Sequence, residues 1–209
     1  MAFALDEDGN PRVDNRGFIT IVSGLPRSGT SMMMKMLEAG GMQVLTDNVR
    51  SADENNPKGY YEFERVKKLK DGDIAWVETA NGKVVKVISA LLEHLPQDYH
   101  YKIIFMRRDM DEILASQKQM LAILGQSNGD LTDTQLSSIY HKHLTNVEAW
   151  LARQTNLDVI YVNYNSLLRN PADYLTQVQA FIKGDLDIEK MQHVIDRNLY
   201  RQRNRDTNL

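Results

Sequence analysis

The chain has 209 residues, 42% hydrophobic and 25% charged, with a formal net charge of -3 and no cysteine. That is enough chain for one domain with a substantial core, and the mildly acidic balance argues against a general nucleic-acid binder. The lack of cysteine excludes disulfides, thiolate metal sites and cysteine nucleophiles, and fits a cytoplasmic setting.

Residues 1–16 (MAFALDEDGNPRVDNR) carry neither a long apolar run nor a basic leader, so they read as a flexible polar arm rather than a signal peptide. No stretch approaches the roughly 20 apolar residues that cross a bilayer, and no stable membrane insertion is expected. GFITIVSGL is a short β-branched run ending in glycine, a buried strand feeding a turn. SGTSMMMKMLEAGG follows as a helix closed by Gly40 and Gly41, its methionines filling core space. MQVLTD is a candidate second strand, and NVRSADENNPKGYY is polar and turn-rich. EFERVKKLKDG reads as helix. KVVKVIS and YKIIFM are further strands.

In DMDEILASQKQMLAIL, the spacing of Ile113, Leu114, Met120, Leu121 and Leu124 predicts an amphipathic helix. TDTQLSSIYHKHLTNVEAWLARQ opens with a capping-box pattern at Thr132 and Gln135. It falls in a stretch, about 125–156, that reads as a helical insert or cap over a cleft, where Tyr140 and Trp150 either line the cleft or pack the helix. LDVIYVNY is the last strand. NPADYLTQVQAFIKG is a helix with Asn170 as cap, Pro171 in its first turn and Gly184 past its end. Strands alternating with helices predict one α/β domain over 1–209: three layers around a mainly parallel sheet, with ligands at the carboxyl ends of the strands.

The first strand–turn–helix is the richest in chemistry. In SGLPRSGTSMMMKML, Gly24 and Gly29 have the separation of a nucleotide-binding phosphate loop. A strand, a glycine-bearing turn and a helix N-terminus make an anion site from free amides and the helix dipole. Pro26, Arg27, Ser28, Gly29, Thr30 and Ser31 form it. Thr30 and Ser31 add hydroxyl donors, and Arg27 adds a fork of cationic donors. But Thr30 stands where an ATP- or GTP-binding loop carries lysine. Nor does a late strand end in the aspartate that magnesium needs for triphosphate chemistry. No metal is expected. A donor with less charge at its reacting end, such as a sulfuryl group on a 5′-phosphate, needs neither part.

At GLPRSGTS the residues resemble the 5′-phosphosulfate loop of sulfotransferases that use 3′-phosphoadenosine 5′-phosphosulfate (PAPS). IIFMRRDMDEILASQ is similar to that family's 3′-phosphate site, with Arg108 at a strand end and Ser116 on the following helix. Arg107 would face the other way in a strand. The competing reading pairs the arginines with Asp109, Asp111 or Glu112. VNYNSLLRNP resembles a third family segment, with Asn165 and Ser166 in place of two acids. There Tyr164 either contacts adenine or packs at the strand end. Late in the chain, Arg201, Arg203 and Arg205 alternate; they form either a solvated basic tail or, as the resemblance offers through Arg201 or Arg203, a closing contact to the 3′-phosphate.

The resemblance implies transfer of a sulfuryl group from PAPS to a hydroxyl or amine, leaving adenosine 3′,5′-bisphosphate. Arg27 would stabilise the leaving oxygen. Lys86 in VVKVIS matches the family's strand-end lysine, but Val87 and Ile88 follow it and the usual histidine is missing. The base candidate is then Glu62 in ENNPKGYYEFE, behind a turn that Gly59 allows, or else an acid favoured by a helix N-terminus. Glu64 and His94 are runners-up, while His141 and His143 sit too far along the insert helix to matter. A small metabolite, a sugar, a lipid or a peptide tyrosine is compatible as acceptor. The alternatives are a kinase-like phosphotransferase and a non-catalytic binder of adenosine 3′,5′-bisphosphate.

Overall fold

The computed structural model describes residues 17–47, 61–126, 129 and 131–196. The arm 1–16, residues 48–60 of the turn-rich stretch with Gly59, and Arg201, Arg203 and Arg205 lie outside the described residues.

Four strands, β1 (Ile19–Gly24), β2 (Val84–Lys86), β3 (Tyr101–Arg107) and β4 (Leu157–Asn163), pair in the order β2-β1-β3-β4, every pair parallel. The register sets Val22 beside Lys86, Gly24 beside Met106 and Arg107 beside Asn163. Gly24, Lys86, Arg107 and Asn163 therefore end along one edge of the sheet, and the segments that carry the phosphate loop, Arg108 and Tyr164 leave from it.

Side chains alternate across a strand, and the sheet splits its apolar residues accordingly. Val22, Val84, Ile104, Met106 and Val162 face one cluster, which α1 (Thr30–Ala39), α4 (Tyr164–Arg169), α5 (Pro171–Ile182) and α6 (Ile188–His193) close with Met33, Leu167, Val178 and Met191. The α1 methionines are core, as the sequence predicts. Ile19, Ile21, Val85, Ile103 and Phe105 face the other cluster. That face is covered by the 3-10 helices Glu64–Asp71, Val77–Ala80 and Ser89–His94 and by α3 (Asp133–Leu151), through Leu69, Trp76, Leu92 and Leu151. The result is the expected three-layer α/β fold. The last turns of α3 belong to that layer, since Leu144, Val147 and Trp150 pack on the same cluster; Trp150 is thus a packing residue.

Local departures from the sequence reading have physical reasons. MQVLTD contributes a single bridge, Val44 to Val84, rather than a strand, because beyond it Thr46 turns to donate to the Glu62 carbonyl at 2.8 Å. EFERVKKLKDG forms a 3-10 helix, in which Val66 and Leu69, three apart, eclipse and both bury. Gly72 ends it at φ 86. Helix α2 (Met110–Ile123) buries Ile113 and Leu114 near its start, but Leu124 is 47% exposed because the far turns of the helix leave the core. Asn170 caps α5 by position without a side-chain bond, and Lys183, at φ 54, takes the left-handed closing position in place of Gly184. The capping box holds: the Thr132 amide donates to Gln135 Oε1 at 2.9 Å and the Gln135 amide to Thr132 Oγ1 at 3.2 Å.

Candidate functional site

The phosphate loop is a tight turn in which the Ser28 amide donates to the Leu25 carbonyl at 3.2 Å. Its glycines are required by space as well as backbone. A β carbon on Gly24 would meet the Met106 carbonyl oxygen at 2.6 Å, and one on Gly29 would meet the Tyr164 ring at 2.4 Å. Arg27 adopts φ 70, a left-handed conformation that costs a residue with a β carbon about 1–2 kcal/mol. Helix α1 starts at Thr30, with Gly29 as a cap that supplies no side-chain bond. Ser28 is 1% exposed, and its hydroxyl has no hydrogen-bond partner among the described residues. A buried donor left this way is costly, and here it lies beside a helix N-terminus that attracts anions. Pro26 is exposed, while Thr30 and Ser31 are half-buried at the head of the helix. This cradle fits an oxyanion group.

A second motif folds against the first. Arg27 Nε donates to Ser116 Oγ at 2.9 Å. Arg108 Nη1 donates to the Arg27 carbonyl at 3.0 Å, and its Nε to Glu112 Oε2 at 2.9 Å. Glu112 is 2% exposed, and its other oxygen accepts from Asn165 Nδ2 at 3.0 Å. The Arg108 guanidinium also lies 4.6 Å over the Tyr164 ring. The sequence brings Arg108 and Ser116 to one corner as expected, but each has a partner of its own: Ser116 meets Arg27, and Arg108 makes the ion pair with Glu112 that the competing reading named. Both alternatives for Tyr164 bear on one ring, packed against Gly29 and under Arg108. Burial pushes its phenol pKa up, and Arg108 opposes that. Arg107 faces away, pairing with Glu148 of α3 at 2.7 Å and stacking on Tyr161 at 3.9 Å.

Glu62 and Lys86, far apart in sequence, meet: Glu62 Oε1 lies 3.9 Å from Lys86 Nζ, with the two side chains 19% and 10% exposed. Lys67 Nζ approaches Glu62 Oε2 at 3.2 Å and Glu64 Oε1 at 2.6 Å. Glu64 sits in the first turn of its 3-10 helix, whereas Glu62 precedes the cap Phe63, so Glu64 is the acid the helix end favours. His94 lies 3.9 Å from Glu93 and is 37% exposed.

Sequence reasoning missed three things. Glu112 enters the sequence reading only as a competitor for the arginines, although its i, i+4 spacing from Arg108 is a readable signal. Asn165, a departure from the family segment, turns out to tie Glu112 to the strand end. The sequence reading places His143 too far along the insert helix to matter, yet its Nε2 lies 2.8 Å from Ser89 Oγ, three residues past Lys86. The inward spacing of Leu144, Val147 and Trp150 places His143 on that side of α3.

A family model described as "Sulfotransferase domain" matches residues 19–206. Among solved structures, mouse sulfotransferase SULT7A1 complexed with PAP is similar with a TM-score of 0.55 and 18% identity, covering 86% of this chain and 63% of that one. Sulfotransferase STF1 from Mycobacterium tuberculosis H37Rv gives 0.54 and 13%, covering 85% and 70%. The sulfotransferase domain from the curacin biosynthetic pathway gives 0.50 and 14%, covering 86% and 78%. At these identities the likeness is one of fold. Comparison with curated proteins finds no match in sequence.

Proposed function

The chain belongs to the sulfotransferase domain family, and we propose that it moves a sulfuryl group from PAPS to a hydroxyl or amine acceptor by in-line displacement, without a metal. The family assignment makes it a sulfuryl-transferring enzyme. The observation that carries the donor assignment is the loop at Gly29, with a buried Ser28 hydroxyl that has no partner among the described residues, at the head of α1. When bound, PAPS supplies an activated sulfuryl group and a leaving oxygen on which negative charge grows.

The chain's own residues divide the work. The segment Pro26–Ser31 presents amides and hydroxyls to the 5′-phosphosulfate, and Arg27 places positive charge where the leaving oxygen develops. Arg108, Ser116 and Arg201 hold the 3′-phosphate, and Tyr164 lines the adenine side. Glu62 takes the acceptor's proton on its carboxylate. Lys86, 3.9 Å from Glu62, orients that carboxylate and adds positive charge at the strand edge. The cytoplasmic setting and a small-molecule, sugar, lipid or peptide acceptor belong to the same proposal. Among the described residues no helix is long and apolar enough to cross a membrane.

The test is a magnesium-free assay with sulfur-labelled PAPS against phenols, sugars, lipids and tyrosine peptides. Label should move to one class of acceptor as adenosine 3′,5′-bisphosphate forms. Transfer of a phosphoryl group from labelled ATP in a parallel screen with magnesium, with no label moved from PAPS, would refute the reading.

A further inference from the structure

Glu62 follows a residue with an unusual backbone. Tyr61 has φ 51, in the left-handed region that a tyrosine occupies at a cost of about 1–2 kcal/mol. Such strain persists where the surroundings over-determine it, and it clusters at functional positions.

The surroundings here are specific. The Tyr61 hydroxyl donates to Glu38 Oε2 at 2.5 Å. Glu38 sits in the last turn of α1, the helix whose first turn follows the phosphate loop. The Glu62 carbonyl accepts from Thr46 Oγ1 at 2.8 Å and from the Asp47 amide at 3.4 Å, and Asp47 Oδ2 accepts from the Glu64 amide at 2.6 Å. Phe63 stands edge-on to the buried Trp76, with ring centroids 5.5 Å apart. The backbone is therefore held on both sides of Glu62, and its carboxylate emerges between Lys86 and Lys67.

We infer that Tyr61 is a positioning residue for Glu62: its left-handed turn, tied to α1 through Glu38, aims the Glu62 carboxylate at Lys86. The catalytic meaning of that aim rests on Glu62 being the base proposed above. One rigid helix then carries the donor loop at its head and the tether of the acceptor-side carboxylate at its tail. Burial, and after it the bond to Glu38, push the Tyr61 phenol pKa well up, so the hydroxyl remains a donor through the neutral range. The sequence gives no hint of this turn, since tyrosine is not a residue that favours it.

The test needs no acceptor. In protein labelled with carbon-13 at glutamate carboxyls, the Glu62 resonance is assigned by its loss in Glu62→Gln. Lys86→Met should shift that resonance in the parent chain. In Tyr61→Phe and in Glu38→Ala the response should fall by about half or more, as coupled neighbours lose their mutual effect. Glu38→Gln, which keeps an acceptor oxygen, should restore it. A response to Lys86→Met that is equal in all backgrounds would overturn the inference, as would the lack of any response in the parent chain. Normal turnover in Glu62→Gln would instead sink the base assignment and leave the tether standing, so the two failures are distinguishable.

Discussion

Arg27 Nε donates to Ser116 Oγ at 2.9 Å across 89 residues of sequence, which joins the phosphate loop to the helix after β3. Arg108 adds a second link by donating to the Arg27 carbonyl at 3.0 Å. The two proposed anion stations thus share one frame, with Arg27 as the common member. Arg27→Ala and Ser116→Ala should therefore be non-additive in binding adenosine 3′,5′-bisphosphate. A double-mutant cycle read by calorimetry should show an interaction of about 0.5–3 kcal/mol. Losses that simply add would mean that the bond does not matter to the bound state.

Arg108 and Glu112 form a buried ion pair, with side chains 9% and 2% exposed. Arg108→Ala removes the cation beside a buried carboxylate that keeps its bond from Asn165, so denaturant unfolding should report a stability loss of up to about 3–5 kcal/mol. The variant should also bind the bisphosphate more weakly by about 2–5 kcal/mol. That second loss should shrink greatly for adenosine 5′-monophosphate, which lacks the 3′-phosphate. An equal loss with both ligands would remove Arg108 from the 3′-phosphate site.

Glu62→Gln keeps the shape of the side chain and removes its capacity to accept a proton. Affinity for the bisphosphate should hold while turnover falls by about 10²–10⁴-fold. Near-normal turnover would clear Glu62 and direct attention to Glu64 or His94.

Lys102 supplies a pH signature of folding. It is 8% exposed, donates to the Phe181 carbonyl at 2.6 Å and lies 4.3 Å over the Phe18 ring. Burial holds its pKa below the ordinary lysine range, Lys183 adds to this and Asp158 opposes it. Folding therefore penalises the charged form. The penalty is full below the folded pKa and fades as pH rises towards the unfolded lysine value of about 10.4. The stability difference between the parent and Lys102→Met should grow in the parent's favour from neutral to alkaline pH in denaturant titrations. Parallel curves would show that Lys102 carries no such penalty.

The elements of the fold and the loop were legible because they are written locally. A β-branched run from Ile19 to Val22, buried throughout, a glycine-bearing turn and an apolar helix specify strand, turn and anion cradle without reference to the rest of the chain. The pairings were less legible. Arg108 has Ser116 eight positions on and Glu112 four positions on, and both spacings put side chains on its side of a helix. Which partner it takes depends on how α2 folds back over β3, a tertiary quantity. The same holds for His143, which meets Ser89 only because α3 docks its inward face on the 3-10 helix after β2. Glu62 and Lys86 read from the sequence as two separate candidates; that they meet at 3.9 Å depends on how the segment before the first 3-10 helix lies against β2, and the left-handed backbone of Tyr61 has no sequence signal.

Isothermal titration with adenosine 3′,5′-bisphosphate in magnesium-free buffer, beside ATP with magnesium, tests the donor assignment most directly. Two linked anion stations, Arg27 with its loop and Arg108 with Ser116, predict micromolar binding of the bisphosphate, about -8 kcal/mol, and weaker binding of the triphosphate. Tighter binding of ATP with magnesium would contradict the account and return the loop to the kinase class.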